Sequence, residues 1–139
     1  MVNVIVTTHK GLASGLKAAC EMIAGKNDNV KTLELDETGI DNYKNKLISL
    51  LDSVSGSDNL ILCDLKGGTP FNESFKYFLA HPDDLRVVSG VNLPMLLEIS
   101  TNLMSKNLDE LANIAIKAGQ TGITEAVDDT ADDDEDMDF

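Results

Sequence analysis

Four short apolar runs, each leading into a stretch of helical periodicity, constrain this chain more than any other feature. The runs lie at residues 2–6, 30–35, 59–64 and 85–89. The first and third are nearly all apolar and rich in branched side chains, as strands buried on both faces are. The second alternates apolar and polar residues, which places it nearer a sheet edge. Between them, Leu12, Leu16, Ala19, Cys20 and Ile23 recur at helical spacing, with Gly25 closing the segment. Tyr43, Leu47, Leu50, Leu51 and Val54 repeat the pattern. A third helix is expected over 71–80 with Pro70 in its first turn, and a fourth runs from an Asn92 cap to Met104. A last one starts at Asn107 or Asp109 and runs to Ala118, with Gly119 as its stop. Residues 122–127 read either as one more short edge strand or as an extended exit.

Strands alternating with helices of this length dictate a mainly parallel sheet with helices on both faces. Right-handed crossovers then lead to a flavodoxin-like open α/β fold of strand order 2-1-3-4, with the switch point between the first and third strands. Such sheets bind their ligands beyond the carboxyl ends of the strands at that point. His9 follows the first strand and Asp64 ends the third, so this order brings them into one crevice.

Charge narrows the partners. Of the 24 acidic residues, eight fall in 128–139, a stretch without Lys or Arg, leaving 16 acids against 11 bases in the rest. A mildly acidic body with a polyanionic tail is repelled by nucleic acid phosphates and by anionic membranes. The tail cannot bury a core and is expected to be disordered, so the domain is placed at residues 1–127. Aromatic residues make up 4% of the chain, too few for stacking platforms. Cys20 and Cys63 read as reduced core thiols. No basic segment precedes a long apolar stretch and no window approaches the ~20 apolar residues of a membrane span, so a cytoplasmic protein is expected.

The chemistry sits in two places. A carboxylate facing an imidazole can hold one ring nitrogen and leave the other free as a nucleophile. After Asp64, the turn through Gly67 and Gly68 runs into a helix start at Thr69-Pro70, where backbone N–H groups and the Thr69 hydroxyl make an anion site. Nucleophile, orienting carboxylate and anion cradle together describe phosphoryl transfer through a phosphohistidine. The glycine pair is too short for a nucleotide-binding fingerprint, and no His, Cys, Asp or Glu cluster has metal-ligand spacing. Taken singly, each piece has an ordinary reading. His9 could be a solvated loop residue, Asp64 a cap, and Gly67-Gly68-Thr69-Pro70 plain turn chemistry. One crevice explains all three. His81, at a helix end before Pro82, reads as a surface residue on the helix dipole.

Three segments resemble a known family in the right order. Thr8-His9-Lys10-Gly11-Leu12-Ala13-Ser14-Gly15-Leu16 resembles the active-site segment of the mannose-family enzyme IIA proteins of the bacterial sugar phosphotransferase system (PTS). Asp64-Leu65-Lys66-Gly67-Gly68-Thr69-Pro70-Phe71-Asn72 is similar to its second signature, and Gly90-Val91-Asn92-Leu93-Pro94-Met95-Leu96 to its third. The resemblance covers residues 1–127. It implies that His9 accepts phosphate from the phosphocarrier HPr and passes it to a histidine on enzyme IIB, with the membrane components IIC and IID downstream. Asp64 matches the aspartate that orients the imidazole, Thr69 the hydroxyl near the phosphoryl oxygens, and Gly67 and Gly68 the surrounding turn. No metal or small cofactor is implied. Members are commonly homodimers, some exchanging a C-terminal strand, which here would lie at 123–127. No IIB domain is fused to the chain, so IIB would be a separate polypeptide. A related branch serves dihydroxyacetone kinase, but the second and third signatures fit the sugar branch better. Lys10 and Lys66 match no fixed lysines of the family and read as solvated.

Two other functions use the same sheet. A receiver-like module would carry phosphate on Asp64 as an acyl phosphate, but would need an acidic cation cluster where Thr7-Thr8-His9 stands. A flavin protein would need aromatic residues flanking the ring system, and Tyr43 and Tyr77 are poorly placed for that.

Overall fold

A computed structural model describes residues 1–128, so the expected acidic tail lies outside the described residues beyond Asp128. Four strands, β1 (Asn3–His9), β2 (Val30–Leu35), β3 (Asn59–Cys63) and β4 (Leu85–Ser89), form one parallel sheet of order β2-β1-β3-β4. Five helices connect and cover them: α1 (Leu12–Ala24), α2 (Ile40–Ser53), α3 (Thr69–Ala80), α4 (Leu93–Asn102) and α5 (Leu108–Thr121). This is the flavodoxin-like arrangement expected from the alternation of strands and helices.

Strand alternation splits the core in two. Val4, Val6, Leu60 and Leu62 pack with α1, α4 and α5 on one face; Ile5, Ile61 and Cys63 pack with Tyr43, Leu47 and Leu51 of α2 on the other, where Phe71 and Phe78 of α3 close the layer. Burial pushes the Cys63 thiol up to about 12, which suits an inert core thiol. Among the described residues no helix is long and apolar enough to cross a membrane.

The first strand runs two or three residues further than its apolar run. Thr7 and Thr8 are fully buried, because each hydroxyl finds a partner. Thr7 Oγ1 and the Tyr43 hydroxyl lie 2.6 Å apart in the α2 layer. Thr8 Oγ1 accepts the Ala13 N–H at 2.9 Å and donates to the His9 carbonyl at 2.7 Å. His9 is thus the last residue of β1, paired with Leu35, and faces the same side as Ile5 and Thr7. Tyr43→Phe should lower stability by about 1–3 kcal/mol, since it strands a buried threonine hydroxyl. Equal unfolding midpoints for the two proteins in urea would show that Thr7 has another hydrogen-bond partner.

The end of the last helix also differs from expectation. Gly119 does not stop the last helix; it is buried inside α5, where a Cβ would come 2.9 Å from Met95 Cε, so its role is close packing on α4. The helix begins at Asn107 with a complete capping box: Asn107 Oδ1 accepts from the Glu110 N–H, and Glu110 Oε1 from the Asn107 N–H. Residues 123–128 pair with no strand, so the sheet has four strands among the described residues and this segment is the extended exit.

Candidate active site

Thr7 pairs with Cys63 in the β1–β3 register, so the next residues of each strand emerge together at the carboxyl edge of the sheet. Asp64, directly after β3, meets His9 there. One oxygen, Asp64 Oδ2, accepts two hydrogen bonds from the same residue: the His9 backbone N–H at 3.1 Å and ring Nδ1–H at 2.9 Å. An ionised carboxylate can only accept, so Nδ1 must carry a proton, and in the neutral imidazole Nε2 then keeps its lone pair. Burial alone would raise the Asp64 carboxyl. The ring and backbone donors of His9 outweigh it and hold the group below its ordinary value. Oδ1 of the same carboxylate is buried and has no hydrogen-bond partner among the described residues. The His9 side chain is 48% exposed against 14% for Asp64, so the carboxylate forms the floor and the imidazole faces solvent.

The ring lies against the turn that opens α3. A Cβ built at Gly68 would stand 3.0 Å from His9 Cε1 and 3.7 Å from Nε2. Nε2 is therefore the nitrogen nearest the helix start. Gly67 has φ +90°, and the Gly68 N–H donates to the Leu65 carbonyl at 3.1 Å; the turn is of a type that requires a glycine at Gly67. Gly68 caps α3 without a side chain, Thr69 is the first helical residue, and Pro70 has no N–H to leave unpaired. The N–H groups of the first turn and the positive end of the helix dipole are thus presented to an anion. The fold brings His9, Asp64, Gly67, Gly68 and Thr69 to one edge.

Gly68→Ala tests this contact. Gly68 has φ −77° and ψ 166°, a conformation alanine adopts freely, so the added methyl strains no dihedral and presses foremost on the imidazole, with the Leu65 carbonyl oxygen next at 3.3 Å. Phosphoryl acceptance should fall about ten- to a hundredfold with the melting temperature little changed. An unaltered rate would show that the ring is not held against the turn.

The other candidates stand apart. His81 is the exposed C-cap of α3, and that helix of 12 residues is about 18 Å long, with His9 at its opposite end. Lys10 pairs with Glu37 on the surface, and Lys66 is exposed. Tyr43 is buried beneath the site and is unable to flank a ligand there. Leu12 and Leu65, 42% and 60% exposed, give the rim an apolar character.

Sequence reasoning missed two supports. Thr8 ties the start of α1 to the His9 carbonyl, as described above, and a threonine beside the histidine was the only hint of it. Glu34 of β2 accepts the Ser14 N–H at 2.8 Å. That hydrogen bond, ahead of the opposing effect of burial, lowers its carboxyl. It supplies the cap that Gly11 lacks, and only the register Thr8↔Glu34 reveals it.

Known proteins resemble this chain in sequence and in fold. The family model described as "PTS system fructose IIA component" matches residues 3–116. The sorbose-specific EIIA component of Lacticaseibacillus casei is 30% identical over 117 residues, 84% of each chain. The fructose-specific EIIA component of Bacillus subtilis is 30% identical over 115 residues, 81% of this chain and 78% of its own. Among solved structures, the mannose/sorbose-specific IIA subunit from Enterococcus faecalis superposes with a TM-score of 0.83 at 32% identity, covering 90% of this chain and 94% of that one. With a family match over most of its length, the chain belongs to the mannose-family EIIA components of the sugar phosphotransferase system.

Proposed function

We propose that this protein is a phosphocarrier that accepts a phosphoryl group from phospho-HPr on His9 Nε2 and passes it to a histidine of enzyme IIB. The observation that supports it most is the double acceptance at Asp64 Oδ2, which places the neutral ring's proton on Nδ1 and leaves Nε2 its lone pair, on a half-exposed imidazole beside a helix N-terminus.

The steps follow from that geometry. The Nε2 lone pair attacks phosphorus in line as the donor's N–P bond breaks, and the donor imidazole departs with the bond's electrons. Nδ1 keeps its proton, and the Asp64 carboxylate balances the positive charge gathering on the ring. Thr69 and the first turn of α3 receive the phosphoryl oxygens. The same contacts serve the reverse attack by the IIB histidine, so positioning and charge do the work and no cofactor is required. An open, partly apolar rim at Leu12 and Leu65 suits donors and acceptors that are themselves proteins. A cytoplasmic homodimer serving the IIC and IID membrane components completes the reading.

The test is relay of radiolabelled phosphate from phosphoenolpyruvate through enzyme I and HPr to this protein, followed by a chase with IIB. Acid-labile, base-stable label that IIB removes is expected. An unlabelled protein overturns the proposal, and base-labile label would favour an acyl phosphate at Asp64.

A further inference from the structure

The peptide joining Gly67 to Gly68 is tied at both ends. Its carbonyl accepts a hydrogen bond from Asn72 Nδ2 at 3.0 Å, and its N–H donates to the Leu65 carbonyl at 3.1 Å. This is the unit in the turn least able to hold itself. With a glycine on each side, no Cβ resists rotation of the peptide plane, and both mirror-image regions are open to it. Turned over, it would carry its carbonyl oxygen where its N–H now lies. The Gly68 end of this peptide lies against the His9 ring, since a Cβ built there would stand only 3.0 Å from Cε1. A carbonyl freed here would set a negative dipole end among the N–H groups that receive the phosphoryl oxygens.

We propose that Asn72 is a positioning residue for transfer at His9, keeping the Gly67 carbonyl engaged so that the turn offers only donors to the phosphoryl group. The proposal rests on the phosphoacceptor role of His9. Asn72 has no other evident task. It lies exposed on the first turn of α3, and its backbone N–H already belongs to the helix through the Gly68 carbonyl at 2.9 Å. Its amide reaches back to the turn, where only a donor of this length fits. An aspartate would match it in shape and fail in function, because its oxygens repel the carbonyl that the amide holds.

Asn72→Asp and Asn72→Ala are the variants to make. Three readings are needed: the single-turnover rate of label transfer from phospho-HPr, the hydrogen-exchange rate of the Gly68 amide by NMR, and the melting temperature. In both variants transfer should slow about ten- to a hundredfold. The Gly68 amide should exchange faster while amides of β1 and β3 do not, and the melting temperature should stay within a few degrees of wild type. The Nδ1–H tautomer of His9, set by Asp64, should persist in the ¹⁵N spectrum. Wild-type transfer rates in both variants overturn the proposal while leaving the phosphocarrier reading intact. So does slowing that comes with loosened amides throughout the sheet, since Asn72 would then be a merely structural residue. A wild-type protein that takes no label overturns both, although the Gly68 exchange would still report on the turn.

Discussion

A His9→Ala variant will take no acid-labile label from phospho-HPr, at any concentration of donor and on any timescale on which wild type is fully labelled. The loss should be complete, because no second imidazole can stand in. His81 lies at the far end of α3, a helix about 18 Å long. The fold should survive the change. His9 is the last residue of an edge-reaching strand end with its side chain half exposed, and the buried pairs beneath it, Thr7 with Tyr43 and Thr8 with Ala13, do not involve its ring. Truncation removes one of the two donors on Asp64 Oδ2 and leaves the backbone N–H in place. A melting temperature within a few degrees of wild type is therefore expected. The chemistry of the label adds a second discriminator. Label that persists in His9→Ala and is stripped by hydroxylamine would place the phosphate on a carboxylate, with Asp64 the candidate. Label that persists and is base-stable would move the phosphohistidine to His81.

Much of this candidate site is legible in the sequence, and the reason is physical. The strand order follows from the alternation of β and α periodicity together with the handedness of crossovers, and that order alone makes the ends of β1 and β3 neighbours. His9 and Asp64 could thus be paired across 55 residues of sequence. What stayed hidden depends on contacts that no spacing encodes. Thr7 and Thr8 look like the end of a strand until their hydroxyls are seen to be satisfied inside it. Glu34 looks like one more charge on an edge strand until the register sets it at the start of α1. Gly119 looks like a helix stop, and only the 2.9 Å at which a Cβ there would meet Met95 Cε shows that the glycine is there for packing. Asn72 was visible within a signature segment, but which of its atoms mattered could be read only from the turn it closes.

Asp64→Asn separates the two things a carboxylate does for the ring, and it should cost transfer about 10- to 10⁴-fold. The amide has two ways to sit. With its oxygen in place of Oδ2, it can still accept from the His9 backbone and from Nδ1–H, but its NH₂ then occupies the position of Oδ1, which is buried and without a hydrogen-bond partner among the described residues. The tautomer survives, a buried donor goes unsatisfied, and the negative charge that balances the phosphorylated imidazole is gone. Loss of one charge-assisted hydrogen bond of about 1.5–3 kcal/mol corresponds to about ten- to a hundredfold in rate. With its NH₂ facing the ring, the amide presents a donor to two donors. Nδ1 must then become the acceptor and the proton moves to Nε2, which ends nucleophilic attack; the equivalent change in a Ser-His-Asp triad costs about 10⁴-fold through the wrong tautomer. The same substitution has a pH signature. The folded Asp64 carboxyl lies below its ordinary value, because the His9 donors overcome the effect of burial. Its contribution to stability is therefore complete above the unfolded pKa of about 3.9 and disappears as pH falls through the lower folded value. The gap in melting temperature between wild type and Asp64→Asn should be widest near neutrality and close on acidification through that window. A gap that stays constant across the acid range would mean that His9 does not hold the carboxylate ionised. A variant that transfers at the wild-type rate would mean that Asp64 neither sets the tautomer nor stabilises the phosphorylated ring.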